Sequence, residues 1–493
     1  MKKVLLTTAL VLSALTTTVA QTLNINIGDV SYAIPASQAG DMPFNNGSTL
    51  TVGAKSYSID DITSITVNYS QVEDNTVKVN YNGTSAKVVI SGNLAPYVTA
   101  TVNNAHVKII ADKALQQTVT YTLSGTSANG SFYMDGDYAI DLVLNEVHLT
   151  NPDSAAINIQ DGKLIGVKLA DGTTNSLADG LTNVTIDDSD GHKAAFYTDG
   201  HTSWTGAGSL TLTGNVKHAF DSDEYTLLNA GLGTITVTGA PGDGFHISQY
   251  FKMQGGTVNI TSIGDGIDVE MKKSDKTDNG NMMIEGGTLN VTTTGDATKA
   301  LKCDNNMTIS GGVIKATTTG SAIYDAAAAD ISSNSAAKCD GTFTMTNGTV
   351  SLSSSGAGGK GLNSTGAITI SGGTLTSVTT GGIFEYGAED SKPQSIKCDT
   401  DIILSGGTIL SCASSYSGTA FKTDFRVLTN GATVMGIGNK ATTPAATSTH
   451  GYKKYSGVNV TSGSTISYDG VSFTIPSGYS ISNAKVFVSS PSM

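Results

Sequence analysis

The segment 282–291, MMIEGGTLNV, places two glycines, Gly286 and Gly287, between two short runs with apolar residues at every second position, Met282 and Ile284 before them and Leu289 and Val291 after them. Alternation with a period of two is typical of a strand with one buried face. Glycine between such runs indicates a corner whose backbone conformation a Cβ atom would penalise. The segment therefore predicts a strand, a corner and a second strand.

This pattern recurs through the second half of the chain. The second corner residue is in turn Gly256, Gly287, Gly312, Gly348, Gly373 and Gly407, so successive repeats are 25 to 36 residues apart. The residues three positions before each corner are all apolar: Met253, Ile284, Ile309, Met345, Ile370 and Leu404. One such unit cannot bury its apolar face alone, so the units are expected to stack about 4.8 Å apart around a shared interior. The sequence thus predicts an all-β protein built as a parallel β-helix, a solenoid.

The regions outside the repeat complete the predicted organisation. Lys2 and Lys3 precede an apolar stretch and a small-residue site that ends at Ala20, which is the pattern of a signal peptide. After residue 430 the glycine corner disappears, which suggests a cap over the last open edge. The predicted parts are a signal peptide (1–20), a small β-rich N-terminal module (21–130), the β-helix (131–430) and a C-terminal β cap (431–493).

Three insertions lengthen the repeat at a similar position, over 272–279, 325–335 and 385–393. They are expected to emerge from one side, where solenoids often bind their ligands. No segment after the signal peptide reaches the roughly 18 apolar residues of a membrane span. We therefore expect a protein that is secreted, periplasmic or held at the cell surface, without membrane insertion.

The charge balance excludes one class of partner. The chain has 28 Lys and Arg residues against 41 Asp and Glu, for a net charge of −13, and its single arginine is Arg426. Nucleic-acid binding relies on cations that neutralise phosphates. The sequence therefore predicts no nucleic-acid partner.

Acidic residues follow the glycine corners of neighbouring repeats. Asp243, Asp265 and Asp296 stand in this position, and Asp268 and Glu270 are close by in the chain. Stacked carboxylates repel unless they are hydrated or bridged by a cation, and oxygen ligands of this kind suit Ca²⁺. The alternative is that aspartate beside glycine is simply a good turn residue. Both interpretations stay open at this point.

Several aromatic residues are candidate platforms for a sugar ring, because a ring face can cover the apolar face of a pyranose. The candidate ligand-binding residues are Trp204, Tyr250, Tyr324 and Tyr386, together with Lys299. The histidines His201, His218 and His246 form no metal pair in the sequence and are expected to be structural residues at the surface.

The four cysteines are Cys303, Cys339, Cys398 and Cys412. The first three stand in identical Lys-Cys-Asp tripeptides at equivalent positions of the repeat, which predicts one stacked column. Cys303 and Cys339 would be neighbours within reach of a disulfide. A buried column of free thiols and a single disulfide are the two alternatives.

Several segments together resemble one family. GDGIDVE (264–270), MMIEGGTLNV (282–291), LADGTTNSL (169–177) and AITISGGTL (367–375) are similar to the bacterial carbohydrate-binding parallel β-helix family, over about 135–430. YAIPASQAGDMPF (32–44) resembles a module that precedes it in some members. The resemblance implies a right-handed β-helix like that of pectate lyases. It also implies binding of plant-type polysaccharides, such as cellulose or polygalacturonate, and bound calcium.

The functional hypothesis is a secreted, non-catalytic polysaccharide-binding protein with calcium assistance. The main alternative is an enzyme of the pectate-lyase or glycosidase type. Such a lyase usually uses arginine as its base, and Arg426 is far in sequence from the acidic residues, which leaves Lys299, Lys302 or paired aspartates. A surface adhesin is a third hypothesis.

Overall fold

The structure, a computed structural model, describes residues 21–180, 194–272 and 276–493. The predicted signal peptide lies outside these residues, and so does the strand that the sequence Val184-Thr185-Ile186 predicts. The described chain is all-β with large mixed sheets. Among the described residues, helical structure is confined to α1 (Ala36–Ala39) and the short 3₁₀ turn Gly92–Leu94.

The chain folds into two compact units. The first contains the described residues 21–180 and 196–201, and the second contains 194–195, 202–272 and 276–493. The strands of the first unit are β1 (Thr22–Ile27), β2 (Val30–Pro35), β3 (Phe44–Asn45), β4 (Thr49–Val52), β5 (Lys55–Ser58), β6 (Ser64–Asn68), β7 (Thr76–Asn82), β8 (Ser85–Ser91), β9 (Val98–Asn103), β10 (Ala105–Ala111), β11 (Val119–Ser127), β12 (Gly130–Asp135), β13 (Ile140–Asn151), β14 (Ile157–Gln160), β15 (Ile165–Leu169) and β16 (Thr174–Asp179).

In the first unit, antiparallel pairing gives way to parallel pairing along the chain. β1 pairs antiparallel with β2 and β6, and β7 pairs antiparallel with β8 through a tight turn after Asn82. From β7 onward the strands also stack in parallel, as β7–β11–β13 and β10–β12–β14. Parallel stacking thus begins earlier in the chain than residue 131.

The second unit repeats a three-strand pattern; β17 (Ala194–Thr198) has residues in both units. The remaining strands are β18 (Thr202–Thr205), β19 (Ser209–Thr213), β20 (His218–Ser222), β21 (Thr226–Leu228), β22 (Thr234–Gly239), β23 (Phe245–Ser248), β24 (Tyr250–Met253), β25 (Thr257–Ser262), β26 (Ile267–Glu270), β27 (Asn281–Ile284), β28 (Thr288–Thr293), β29 (Lys299–Cys303), β30 (Met307–Ile309), β31 (Val313–Thr318), β32 (Ile323–Asp325), β33 (Asp330–Ser332), β34 (Ser335–Cys339), β35 (Phe343–Met345), β36 (Thr349–Ser354), β37 (Lys360–Ser364), β38 (Ile368–Thr379), β39 (Phe384–Tyr386), β40 (Glu389–Ser391), β41 (Gln394–Cys398), β42 (Ile402–Cys412), β43 (Thr419–Lys422), β44 (Val427–Thr429), β45 (Thr433–Gly438), β46 (Tyr452–Val460), β47 (Thr465–Tyr468), β48 (Val471–Thr474) and β49 (Ile481–Ser489).

These strands form three stacks in which each strand pairs in parallel, in register, with its equivalent in the next repeat. The first stack runs β18–β21–β24–β27–β30–β35–β38–β42–β44. The second runs β19–β22–β25–β28–β31–β36–β38–β42–β45. The third runs β20–β23–β26–β29–β34–β37–β41–β43. The long strands β38 and β42 serve the first two stacks.

The predicted interior is confirmed. Ile309, Met345 and Ile370 are in register with one another and fully buried. The corner glycines that separate the first two stacks take positive φ angles, such as 84° at Gly287 and 80° at Gly373. A side chain would strain this backbone, which explains the recurrent glycine.

Two of the predicted insertions form hairpins, β32–β33 and β39–β40. The third, 272–279, is only partly described. At the end of the chain, β49 pairs antiparallel with both β45 and β46, and Val460, Ile475 and Tyr479 join a buried cluster with Leu410 and Met435. This last segment packs against strands of the final repeat.

Candidate functional site

A column of lysines crosses the third stack. Lys302 in β29, Lys338 in β34, Lys397 in β41 and Lys422 in β43 occupy equivalent register positions, with Asn363 of β37 among them. In-register parallel strands lie about 4.8 Å apart, so an ammonium group recurs at nearly every step. None of the sequence-based predictions includes this column. The signal was present in the Lys-Cys-Asp tripeptides, where attention fell on the cysteine.

Part of this column lines a cleft of about 560 Å³. The hairpins β32–β33 and β39–β40 contribute further lining residues. The charged lining consists of six lysines and three aspartates: Lys299, Lys338, Lys360, Lys392, Lys397 and Lys422, with Asp330, Asp390 and Asp399. The cleft is therefore a positively charged place on a chain whose net charge is −13.

Three half-buried lysines of the cleft pair with aspartates two residues away. Lys397 Nζ lies 2.7 Å from Asp399 Oδ1 and Lys392 Nζ 2.6 Å from Asp390 Oδ2, and Lys422 pairs with Asp424. Ion pairs at the surface contribute little to stability, because water screens them. An incoming anion can therefore replace these internal partners at small cost.

Lys360 differs from the other lysines of the cleft because it is buried, with 5% of its surface exposed. Its Nζ donates to the carbonyl oxygens of Gly358 (2.8 Å) and Lys392 (2.7 Å) and to Ser391 Oγ (2.8 Å). Burial, helped by the charge of Lys397, lowers the pKa of Lys360 to about 7. This amine ties the β39–β40 hairpin to β37.

The predicted aromatic residues Tyr324 and Tyr386 come together on the two hairpins. Their rings stack with centroids 4.0 Å apart and an interplanar angle of 9°. Tyr386 is 53% exposed and Tyr324 is half-buried. The same hairpins supply Asp330 and Asp390 to the cleft, so an aromatic surface and a charged cleft belong to one pair of elements.

Tyr250 and Lys299 are held by other neighbours. Tyr250 stacks on Tyr225 with ring centroids 4.6 Å apart. Lys299 lines the cleft, where its Nζ donates to Ala297 O (2.6 Å) and Ser332 Oγ (3.3 Å). Burial lowers the pKa of Lys299. Tyr250 thus stacks on a tyrosine outside the Tyr324–Tyr386 pair, whereas Lys299 belongs to the cleft.

Trp204, predicted as a sugar platform, is fully buried, so that prediction is wrong. Trp204 shares an interior register position with Leu228 and Met253. Its ring meets Phe220 edge to face at 5.4 Å, and its Nε1 donates to Thr202 Oγ1 (2.9 Å). Its position in the strand alternation places it in the core.

The aspartates of the predicted acidic column bind backbone N–H groups of the next repeat. Asp243 Oδ1 accepts from Asp265 N (2.8 Å), Asp265 Oδ1 from Lys299 N (2.7 Å), and Asp296 Oδ1 from Ser321 N (2.7 Å). This is a structural use of the carboxylates and agrees with the turn interpretation. Burial, and then the charge of Asp243, raises the pKa of Asp265.

Two histidines lie beside Asp243. The rings of His218 and His246 stack at 4.6 Å, and His218 is buried, which contradicts the expected surface position. His218 Nδ1 accepts the backbone N–H of Asp243 (3.0 Å), and His246 Nδ1 lies 3.2 Å from Asp243 Oδ2. Burial lowers the pKa of His246, but the hydrogen bond with Asp243 and the charges of Asp221, Asp243 and Glu270 outweigh it and raise the value to about 9.

Asp268 and Glu270 form a second group of candidate metal ligands with His246, which also lies beside Asp243. Candidate ligand atoms of these three residues lie within 4.8 Å of one another. Asp268 Oδ2 accepts from Lys302 Nζ (2.7 Å), whereas its buried Oδ1 has no hydrogen-bond partner. Burial raises the pKa of Asp268 to about 6, although Lys302 opposes the shift.

The five predicted metal ligands therefore do not form one oxygen-only site in the described part of the chain. Asp268 and Glu270 group with His246, and Asp243 groups with the two histidines. Asp265 and Asp296 belong to neither group. Calcium prefers six to eight oxygen ligands, so this arrangement does not fit the predicted calcium site.

All four cysteines are buried and free. Cys303 and Cys339 are in register, and Ser364 and then Cys398 continue the column. Cys339 Sγ donates to Ser364 Oγ at 3.3 Å. The buried thiol column is confirmed, and the disulfide alternative is wrong for this structure.

A family model and a solved structure are similar to this chain. No curated protein matches it. The solved structure of a polysaccharide lyase-like protein from C. thermocellum, a gadolinium derivative, is similar at 22% identity, over 55% of this chain and 96% of that chain, with a TM-score of 0.43. Within the described residues, no helix is long and apolar enough for a membrane span. A family model matches residues 103–382, more than half of the chain, and the chain therefore belongs to the carbohydrate-binding domain-containing protein family.

Proposed function

We propose that this chain is an exported, non-catalytic polysaccharide-binding protein whose repeats wind as a right-handed parallel β-helix. The three in-register parallel stacks support the winding, and right-handed crossovers are the general rule for parallel strands. The lysine-lined cleft is the observation that best supports a binding site, and we place the site there. We propose plant-type polygalacturonate as its ligand, since cellulose carries no charge for the lysines to recognise.

A polymer that follows the stacking direction would meet the column Lys338, Lys397 and Lys422 in steps set by the strand spacing. The amines are point charges on flexible stems, so they can adjust to successive carboxylates. The Tyr324–Tyr386 pair on the adjoining hairpins offers a flat apolar surface for a sugar ring. Charge and stacking would then act on the same chain of sugars.

Two candidate bases for a lyase reaction are held in ion pairs, which favours binding over catalysis. Lys302 is paired with Asp268, and the charges of Asp268 and Asp265 raise its pKa despite burial, so Lys302 stays protonated. Arg426 is engaged by Asp401 through Nε (3.1 Å) and Nη2 (2.5 Å). Lys299, whose pKa is lowered, is the remaining candidate base, and an adhesin remains the alternative outside enzymology.

Calcium assistance is a secondary part of the proposal. The exposed carboxylate of Asp296 is where an ion could bridge to a uronate. Direct pairing with lysine needs no such bridge. Binding at the cleft is therefore expected to persist when calcium is removed.

The test is a pull-down of the mature protein on immobilised polygalacturonate, with and without a calcium chelator. Lys338→Gln/Lys397→Gln should reduce binding strongly, whereas Lys315→Gln, which changes an exposed lysine of β31, should not. Retained binding by the double variant would refute the cleft, and loss of all binding on chelation would make calcium the main contact. Release of unsaturated oligosaccharides by the wild-type protein, and its loss in Lys299→Gln, would establish the enzyme alternative.

A further inference from the structure

A cluster on β23 and β26, outside the lysine cleft, has the composition of a metal site. His246 of β23 and Asp268 of β26 are in register, and Glu270 follows two residues later on the same face of β26. His246 Nε2 lies 3.8 Å from Glu270 Oε2. Candidate ligand atoms of all three residues lie within 4.8 Å of one another, which is close enough for one ion to contact each.

One oxygen in this cluster lacks a partner. Asp268 is 4% exposed, and its Oδ1 is buried without a hydrogen bond. Its other oxygen is engaged by Lys302, on the strand opposite to that of His246. A buried carboxylate oxygen without a partner is costly, and a bound cation removes that cost.

The contact that Nδ1 of His246 makes with Asp243 directs the other ring nitrogen, Nε2, to a metal. Nδ1 lies 3.2 Å from Asp243 Oδ2, and the other oxygen of Asp243, Oδ1, accepts the backbone N–H of Asp265 (2.8 Å), which fixes the carboxylate. A hydrogen bond from Nδ1–H to a carboxylate keeps a proton on Nδ1, so a metal that displaces the proton of Nε2 binds at that nitrogen. Metal-binding histidines almost always have such a partner.

The local charge favours a divalent cation. Asp221 and Asp268 flank His246 in register, and Asp243 and Glu270 lie within 4 Å of its ring nitrogens. One of these four carboxylates, that of Asp268, pairs with Lys302. The cluster therefore keeps an excess of negative charge when the imidazole is neutral.

We propose that His246 Nε2, Asp268 and Glu270 bind a divalent first-row transition metal, with zinc as the reference ion and Asp243 orienting the histidine. One imidazole with two carboxylates suits zinc and its neighbours, whereas calcium prefers oxygen ligands alone. Glu270 is about half exposed, which leaves the site open to solvent and to a further ligand. This inference does not depend on glycan binding.

The experiment is a titration of the tag-free mature protein, stripped with chelator, with zinc, cobalt and calcium in separate calorimetric runs. One zinc per chain is expected, with cobalt producing a visible absorption band. His246→Gln should abolish the band, and Asp243→Asn should weaken zinc binding by about 10- to 100-fold. Asp296→Asn removes a carboxylate of the same predicted column outside the cluster and should leave zinc binding unchanged.

Three results would overturn the site: no zinc binding by the wild-type protein, unchanged zinc affinity in His246→Gln, or tighter binding of calcium than of zinc. Thermal melting of each variant shows whether reduced zinc binding comes from the loss of a metal ligand or from unfolding. If His246→Gln does not fold, Asp243→Asn still tests the site. Polygalacturonate binding by the same variants should be unaltered. A failure of the metal site is thus distinguishable from a failure of the proposed glycan site.

Discussion

Tyr324 and Tyr386 stack almost in parallel, although each stands in a different insertion of the repeat. Tyr324 lies in β32 and Tyr386 in β39, and each strand is half of a short hairpin. The stacking joins the two hairpins and leaves Tyr386 more than half exposed. A rigid aromatic surface beside a charged cleft is suited to hold a sugar polymer.

Tyr386→Ala is expected to weaken polygalacturonate binding by about two- to tenfold, since a stacking contact contributes about 0.5–1.5 kcal/mol. Affinity electrophoresis in polymer-containing gels measures the change. Tyr416→Ala, which removes another exposed tyrosine, serves as the control. Equal affinities of Tyr386→Ala and the wild-type protein would show that the pair only joins the hairpins.

The lysine cleft predicts a strong dependence of glycan binding on salt. The ammonium groups of Lys338, Lys397 and Lys422 are solvent-accessible, so added salt screens their attraction for uronates. Affinity should fall steadily between low and physiological ionic strength. Lys338→Gln/Lys397→Gln should flatten this dependence, measured by calorimetry with oligogalacturonates. A salt-independent affinity would argue for stacking alone.

Lys360 predicts a stability change above neutral pH. Its pKa is about 7 in the folded chain and near the ordinary value of 10.5 when unfolded, because burial and Lys397 disfavour the charged amine. Between these values the unfolded chain binds more protons, so the free energy of unfolding rises with pH from about 7 to about 10. The charge of Asp390 opposes the lowering of the Lys360 pKa.

The measurement is the urea midpoint of unfolding at several pH values. Lys360→Met keeps the length of the side chain and should remove the rise that the wild-type protein shows. Lys315→Met, at an exposed position, should retain it. Parallel pH profiles for Lys360→Met and the wild-type protein would contradict the assignment.

The interior of the repeat could be predicted from sequence because one physical requirement acts on each repeat separately. Ile309, Met345 and Ile370 are buried since each alternates with polar residues in its own strand, and the corner glycines report a local backbone need. The stacked cysteines follow from the same periodicity. These features need no knowledge of which distant segments meet.

The candidate site depends on what the periodicity brings together. Lys338 and Lys397 lie in one column because both are in register with Asn363 of the strand between them, β37. The alternation within a single strand shows only that these positions are polar. Residue type alone suggests Trp204 as a platform for a sugar ring, whereas its place in the alternation decides its burial. His246 meets Glu270 only through the register of β23 with β26. The candidate site could not be predicted because the sequence does not show which residues of different repeats are in register.

Close approach between repeats yields the last prediction, at two adjacent glycines. A Cβ atom on Gly381 would lie 1.8 Å from the carbonyl oxygen of Gly356 in the preceding repeat, and that backbone cannot move without breaking the stack. Gly382, the next residue, has open space around its Cβ position and no positive φ. Gly381→Ala should therefore destabilise the protein by roughly 2–4 kcal/mol, measured by urea unfolding.

Gly382→Ala is the matched control and should change stability by no more than about 0.5 kcal/mol. The two substitutions add the same methyl group to neighbouring residues, so loss of glycine flexibility in the unfolded chain affects both alike. A difference between them isolates the contact between repeats. If both variants unfold at the same urea concentration, the spacing between Gly356 and Gly381 is not the tight backbone contact that the stacked repeats require.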